Sequence, residues 1–273
     1  MITKSLKFLT IILFVVSCKD AKNEKNQEIN TKKEVTNNVI DSTKSTPKIS
    51  DEVVISDNLF KTLLPTSYRI DKNDDPTKDL SKDWFDLFEK DGSYYLEKAA
   101  FTISKGYDEC VGTETKAIET KKNTILLLDY KKLTTGKVDN LLISKKHIWP
   151  KENVTFDFKN TTYTLRGVGD IKNTENRTND KDENEIWHTV ENYELYLKTS
   201  DTDEQLVISE NNFSDTFVVL IFVGDIDRDG KLDFIFEANR NYEEKRVILF
   251  LSSEAEENKI IKKVSEISVQ FDC

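Results

Sequence analysis

The sequence predicts a mainly β protein: an antiparallel β-rich globular part with few short helices, preceded by a disordered tether. Three observations support this fold class. Runs rich in β-branched and aromatic residues recur along the folded part, with polar turns between them. Residues 19–57 contain no aromatic residue and are dominated by Lys, Asn, Glu, Thr and Ser. Clear helical spacing of apolar residues occurs only at Ser81–Glu89, where we predict one short helix.

Length and charge limit the classes of function. The chain has 273 residues, enough for one large domain or two small ones. Its net charge is -10 and it has no basic stripe, which argues against a nucleic-acid partner. An acidic surface suits divalent cations or a basic protein partner instead.

The predicted strands follow one another after the short helix. Residues 153–160 alternate, with Val154, Phe156 and Phe158 on one side, and Lys159–Asn160 is a predicted hairpin turn. The run Phe217–Val223 is apolar throughout, which predicts a central strand covered on both faces. The final stretch, 255–273, could begin as a helix and is expected to end as a strand. The predicted strands are 93–103 (one or two strands), 123–130, 153–160, 161–168, 191–199, 204–210, 216–225, 231–239 and 245–253.

Residues 172–185 contain no hydrophobic residue, which predicts a long solvated loop. This loop is the candidate boundary between an N-terminal β-rich part, 58–171, and a C-terminal β-rich part, 186–273. The sequence leaves open whether the two parts form one domain or two. We find no internal repeat of the length that a full propeller or solenoid requires.

The N-terminus has the pattern of a signal peptide, predicted over residues 1–17. Lys4 and Lys7 precede Phe8–Val16, which is apolar apart from one threonine and too short to span a bilayer. The segment that follows, Val15-Val16-Ser17-Cys18, resembles the bacterial lipobox. The resemblance implies that Cys18 is the lipidated first residue of the mature protein, anchored by acyl chains such as palmitate.

The lipobox resemblance also implies a location. Residues 18–57 would form a lipidated, disordered tether that holds the folded part away from the bacterial outer membrane. Lys19-Asp20 resembles the start of surface-exported lipoproteins in some Gram-negative bacteria. The sequence does not decide between a periplasmic and a surface-exposed position.

The stretch "GDIDRDGKLD" crowds four aspartates around one glycine. In a calcium loop, side-chain oxygens at alternate positions turn inward, the glycine allows a sharp bend, and a backbone carbonyl joins the ligands. Hard oxygen donors of this kind suit Ca²⁺. The alternative is an acidic surface turn within a hairpin. The predicted Ca²⁺ ligands are Asp225, Asp227, Asp229, the carbonyl of Lys231, and Asp233.

The flanks of this loop distinguish two known loop types. An EF-hand requires a Glu at its twelfth position and helices on both sides, whereas this loop has Phe236 there and strands on both sides. The loop resembles the D-x-D-x-D-G-x-x-D loop of FG-GAP/VCBS-type repeats, which implies a strand–loop–strand calcium site. The resemblance covers residues 217–273 at most, in one copy and without the Phe-Gly/Gly-Ala-Pro signature. The tail resembles uncharacterised envelope proteins of Bacteroidetes-type bacteria.

Two cysteines remain after lipidation, Cys110 and Cys273, and we predict that they form a disulfide in an exported protein. The alternative is two unpaired buried thiols. His147 and His188 both neighbour tryptophans. Each could serve as a general base, but packed or rim positions are the commoner case, so we predict no catalytic residue.

Together these features predict a lipid-anchored envelope protein that contains one structural calcium ion. We expect this protein to bind a protein or glycan ligand. Two alternatives remain: a calcium-dependent envelope hydrolase and an envelope immunity protein against a toxin. A groove lined with acids and aromatics would favour the hydrolase. A flat acidic face would favour immunity or adhesion.

Overall fold

The structure, a computed structural model, describes residues 59–72, 74–178 and 184–271. The predicted signal peptide, Cys18, the tether 18–57 and Cys273 lie outside the described residues. All the described residues belong to one compact unit within Asp51–Cys273.

The mainly β, antiparallel fold predicted from the sequence is confirmed. The strands pair in three antiparallel sheets, and the only helical element among the described residues is a 3-10 helix at Pro76–Asp79. The strands are β1 (Thr62–Leu63), β2 (Ser67–Ile70), β3 (Phe85–Lys90), β4 (Ser93–Lys98), β5 (Phe101–Asp108), β6 (Thr113–Thr120), β7 (Asn123–Leu128), β8 (Gly136–Asn140), β9 (Asn153–Phe158), β10 (Thr161–Thr178), β11 (Asn184–Thr199), β12 (Gln205–Asn212), β13 (Val219–Asp225), β14 (Asp233–Glu237), β15 (Glu244–Leu251) and β16 (Lys262–Gln270).

The largest sheet has nine strands in the order β1-β7-β3-β4-β8-β13-β14-β15-β16. Its two edge strands meet, because β1 lies against β16. The Leu59 amide donates to the Val264 carbonyl at 2.8 Å, and the hydroxyls of Thr62 and Ser265 lie 2.7 Å apart. The sheet therefore curls almost into a barrel, and its inner face encloses the first hydrophobic core.

A second core lies between the outer face of β13–β15 and a four-stranded sheet in the order β12-β11-β10-β9. Successive side chains of a strand point to opposite faces, so β14 serves both cores. Ile235 belongs to the first core, whereas Phe234 and Phe236 belong to the second. The same division places Phe222 inside the curled sheet and Leu220 in the second core. The predicted two-sided coverage of Phe217–Val223 is thus confirmed for β13.

The polar stretch 172–185, predicted as a solvated loop, is instead largely strand where the structure describes it. β10 continues to Thr178 and β11 begins at Asn184, and these two residues are direct partners. The side chains of the stretch are mostly exposed, as their polarity indicates. The backbone nevertheless pairs, because a ladder of amide–carbonyl hydrogen bonds requires no apolar side chains.

The stretch is therefore not a boundary between separate sheets. The nine-stranded sheet takes strands from both sides of it, namely β1, β3, β4, β7 and β8 before it and β13 to β16 after it, while β2, β6 and β5 form a separate three-stranded sheet. The two β-rich parts 58–171 and 186–273, which the sequence could not assign to one domain or two, share this sheet and its core.

The prediction of a helix at Ser81–Glu89 is wrong. The chain turns at residues 82–83 and enters β3, which lies between β7 and β4 in the sheet. Every residue from Trp84 to Phe88 is buried, because both faces of this strand are covered. Two-sided burial removes the polar alternation that would have identified a strand, and the remaining apolar residues mimic helical spacing. The helix considered for the start of 255–273 is likewise absent from the described residues, whereas the strand predicted at its end is confirmed as β16.

One buried charge of β3 is poorly compensated. The Asp86 side chain is fully buried, and neither of its carboxylate oxygens has a hydrogen-bond partner among the described residues. The Lys122 Nζ lies 3.6 Å away and also pairs with Glu97 at 2.7 Å. Burial raises the pKa of the Asp86 carboxyl, and the nearby Thr124 hydroxyl and Lys122 ammonium offset only part of that rise.

We expect Asp86→Asn to stabilise the protein at neutral pH. A raised folded-state pKa means that this carboxyl favours folding below its ordinary pKa, and the benefit is lost as pH rises through the raised value. Asn keeps the shape without the charge, and Lys122 keeps Glu97 as its partner. Thermal unfolding of both proteins at about pH 4 and about pH 7 checks this, with the difference expected only at the higher pH. A variant less stable than wild type at neutral pH would show that the Lys122 pair dominates.

Candidate metal centre

The aspartate stretch forms the connection between β13 and β14. Asp225 is the last residue of β13 and Asp233 is the first residue of β14. The buried strands hold these two positions, and the loop brings a third and fourth carboxyl beside them. Asp225, Asp227 and Asp229 each offer a carboxylate oxygen, and these atoms all lie within 4.8 Å of one another. The cluster could hold a metal ion.

Asp225 gives the strongest evidence that the loop fits a cation. Its side chain is only 4% exposed. One oxygen, Oδ2, accepts hydrogen bonds from the Gly230 amide at 3.0 Å and from Lys159 Nζ at 3.3 Å. The other, Oδ1, is buried and has no hydrogen-bond partner in the part of the chain that the structure describes. A buried carboxylate oxygen without a partner is costly, and a cation in the loop would satisfy it.

Asp227 and Asp229 are held by local hydrogen bonds. The Asp227 carboxylate accepts from the Asp229 amide at 3.3 Å and from the Ser253 hydroxyl. Asp229 Oδ1 accepts from the Lys231 amide at 2.8 Å and from the Ser252 hydroxyl at 3.1 Å. Burial raises the pKa of Asp227, and the negative charges of Asp229 and Asp225 raise it further. A cation at the cluster would oppose this repulsion.

Asp233 has a different environment from the other three acids. Its carboxylate is fully buried, and burial raises its pKa well above the ordinary value. Oδ2 accepts from the Ile226 amide at 2.7 Å, and Oδ1 accepts from the Ser252 amide at 2.8 Å. Asp233 therefore braces the loop against the chain that follows β15. Its direct ligation of a metal, and that of the Lys231 carbonyl, stay predictions.

The turn depends on two residues with left-handed backbone. Gly230 has φ 91° and Arg228 has φ 65°. The Arg228 guanidinium donates to the Thr134 hydroxyl and, at 3.0 Å, to the Thr135 carbonyl. These bonds fix the exposed tip of the loop to the segment that precedes β8.

Several residues of this site were not found by sequence reasoning. Ser252 and Ser253 follow β15, Lys159 lies in the β9–β10 turn, and the Tyr163 hydroxyl lies 3.4 Å from the Leu232 amide. None of these residues carries a metal-site spacing. Pairing of β14 with β15 brings the two serines to the loop, and packing of the four-stranded sheet brings Lys159 and Tyr163, so the sequence contains no local signal for them.

The two histidines lie near one another in an aromatic cluster, away from the aspartates. His147 packs against Trp149 and Trp187, with ring centroids 5.4 Å apart in both pairs. Burial lowers its pKa, so the ring stays neutral near physiological pH. His188 Nδ1 lies 2.8 Å from the hydroxyl of Thr174.

A shallow cleft of about 250 Å³ opens beside this aromatic cluster. It lies between β11 and the segment 213–216, and Trp187, His188 and Phe213 contribute to its wall. Across it, the Arg177 guanidinium stacks on Trp187 and contacts Asp215 Oδ1 at 3.3 Å. The cleft thus combines aromatic surface with one paired acid and base.

Cys110 lies in the turn between β5 and β6 and is disulfide-bonded. Cys18 and Cys273 lie outside the described residues, so the pairing of Cys110 with Cys273 stays a prediction. Over the ranges that the structure describes, no helix has the length and apolar character needed to cross a membrane.

Comparison with protein-family models, with curated proteins and with solved structures found no match. The assignment of the site therefore depends on the geometry and chemistry of the loop itself.

The hydrogen bonds of Asp233 predict a different mutational effect from that of the clustered acids. Asp233→Ala leaves the buried amides of Ile226 and Ser252 without partners, so we expect a loss of at least about 2 kcal/mol of unfolding free energy. This loss should occur even in the presence of a chelator. Asp227→Ala is the matched control, because it relieves repulsion and should change the chelated protein little. Chemical denaturation in excess chelator measures both, and equal losses would contradict the bracing role.

Proposed function

We propose that this protein is a lipid-anchored cell-envelope protein of the bacterial outer membrane, whose β fold is stabilised by one calcium ion and which serves as a binding module for a protein or glycan ligand. The observation that supports the calcium site most directly is the buried, unpartnered Oδ1 of Asp225 beside the carboxylates of Asp227 and Asp229. The anchor rests on the resemblance of residues 15–18 to a lipobox.

The donor set favours calcium over other metals. The atoms that face the cluster are carboxylate and hydroxyl oxygens, which are hard donors, and no cysteine or histidine of the described residues belongs to it. The strand–loop–strand geometry also agrees with the FG-GAP/VCBS-like pattern. Mg²⁺ would be held poorly, because it demands a tight octahedron and releases its water reluctantly.

The cleft beside β11 supports a binding role. Polar side chains line it together with Trp187, His188 and Phe213, and proteins hold sugar rings or extended peptides with such combinations. Among the described residues, Asp215 is the one acid that lines the cleft, and it is paired with Arg177. No feature of the described residues gives specific support to the hydrolase or to the immunity protein.

We expect Ca²⁺ to raise the melting temperature, and Asp227→Ala or Asp229→Ala to remove most of that rise. An ion that binds only the folded loop stabilises it by about 2.7 kcal/mol at a hundredfold excess over Kd. Calorimetry with Ca²⁺, with Mg²⁺ and with chelator measures the effect, and Mg²⁺ should substitute poorly. Asp201→Ala removes an exposed acid in the turn after β11 and serves as the control. If chelator leaves the wild-type melting curve unchanged and the protein takes up no calcium, the aspartate loop is only an acidic surface turn.

We expect Cys18→Ala to release the protein from membranes or to block its maturation, because the lipobox resemblance makes Cys18 the acyl acceptor. Detergent-phase partitioning of the expressed full chain measures this. Cys110→Ala removes a different cysteine and should leave the protein in the detergent phase. Unchanged partitioning of the Cys18 variant would rule out the anchor.

A further inference from the structure

An ammonium group from outside the aspartate loop contacts one of its carboxylates. Among the described residues, Lys159 Nζ is the only basic group within salt-bridge distance of Asp225, Asp227, Asp229 or Asp233, and it lies 3.3 Å from Asp225 Oδ2. The Lys159 side chain is 53% exposed, whereas Asp225 is 4% exposed. A half-exposed cation thus faces a buried anion that has other acids beside it.

The fold presents this lysine to the loop from a different sheet. Lys159 lies in the turn between β9 and β10 of the four-stranded sheet, with a left-handed φ of 52°. Its Nζ would lie 3.1 Å from a Cβ placed on Gly230, so the ammonium lies directly over the bend of the loop. The absence of a side chain at Gly230 leaves this approach open.

The contact between Lys159 and Asp225 affects ion binding because the loop carries several negative charges. Without an ion, the clustered carboxylates repel one another, and the Lys159 ammonium relieves part of that repulsion. When a divalent cation enters, the same ammonium lies close to it and repels it. The lysine therefore stabilises the ion-free loop and opposes ion binding.

We propose that Lys159 is the internal counter-cation of the aspartate loop and sets its calcium affinity below the value that the carboxylates alone would give. The inference rests on the proposed calcium site and adds a residue that determines its affinity. An orienting role is the weaker explanation, because Asp225 Oδ2 is already held by the Gly230 amide at 3.0 Å and the unpartnered oxygen is Oδ1.

The test compares Lys159→Gln with Lys151→Gln. Lys151 is also an exposed lysine with left-handed backbone, at the other end of β9, so both variants lose the same charge at similar turns. Calorimetric titration with Ca²⁺ gives Kd, and thermal unfolding in chelator gives the stability of the ion-free protein. A third variant, Lys159→Arg, retains the charge.

We expect Lys159→Gln to tighten calcium binding by about three- to tenfold, the scale of one charge pair near the protein surface. The same variant should melt below wild type in chelator. Lys151→Gln should change Kd by less than about twofold, since screening weakens distant surface charges. Lys159→Arg should retain a Kd near that of wild type.

Each other outcome has a distinct meaning. Weaker calcium binding by Lys159→Gln would overturn the inference and show that the lysine orients Asp225. Equal effects of the Lys159→Gln and Lys151→Gln changes would overturn it and leave Lys159 an ordinary surface charge. A wild-type protein that takes up no calcium would overturn the proposed calcium site itself, and the inference would fall with it.

Discussion

The burial of β14 on both faces is the constraint on which the rest of the structure depends. Ile235 points into the curled nine-stranded sheet, whereas Phe234 and Phe236 point toward the four-stranded sheet. This one strand therefore belongs to both cores, and a shift by one residue would exchange Ile235 with the phenylalanines between two differently packed cores. Its fixed register also fixes Asp233 at its first position. From there the Asp233 carboxylate joins the start of the loop, at the Ile226 amide, to the Ser252 amide beyond β15.

Rigid strands at both ends explain why so much like charge can persist in the loop. A flexible acidic segment would relieve its repulsion by spreading, but Asp225 ends one buried strand and Asp233 begins the next. The folding free energy of the two cores therefore holds the carboxylates together. The consequence appears at Asp225 Oδ1, which is buried without a hydrogen-bond partner among the described residues. A cation would supply the missing partner, and the proposed calcium ion would add to stability because the strands have already gathered its ligands.

The sequence predicted the features that depend on local periodicity and missed those that depend on pairing. Alternation identified β9, the wholly apolar run identified β13, and aspartates at alternate positions around a glycine identified the cluster. The stretch 172–185 was misjudged because polarity reports the environment of side chains, whereas strand pairing is made by the backbone. The helix predicted at Ser81–Glu89 failed because two-sided burial erases alternation. Ser252 and Lys159 could not have been found, since strand pairing brings the first to the loop and packing between two sheets brings the second.

The position of the loop gives the proposed ion a structural role beyond its own ligands. Lys159 and Tyr163 reach it from the four-stranded sheet, while Arg228 ties it to the segment before β8 of the nine-stranded sheet. The loop is thus one place where the two sheets are joined by polar contacts rather than by apolar packing. The four-stranded sheet also carries Trp187 and the cleft beside β11. An ion that fixes the loop would therefore stabilise the packing of the four-stranded sheet, which carries the proposed ligand site, against the nine-stranded sheet. The ion itself would lie outside the ligand site. This arrangement would explain why a protein whose proposed task is binding also uses the proposed structural ion.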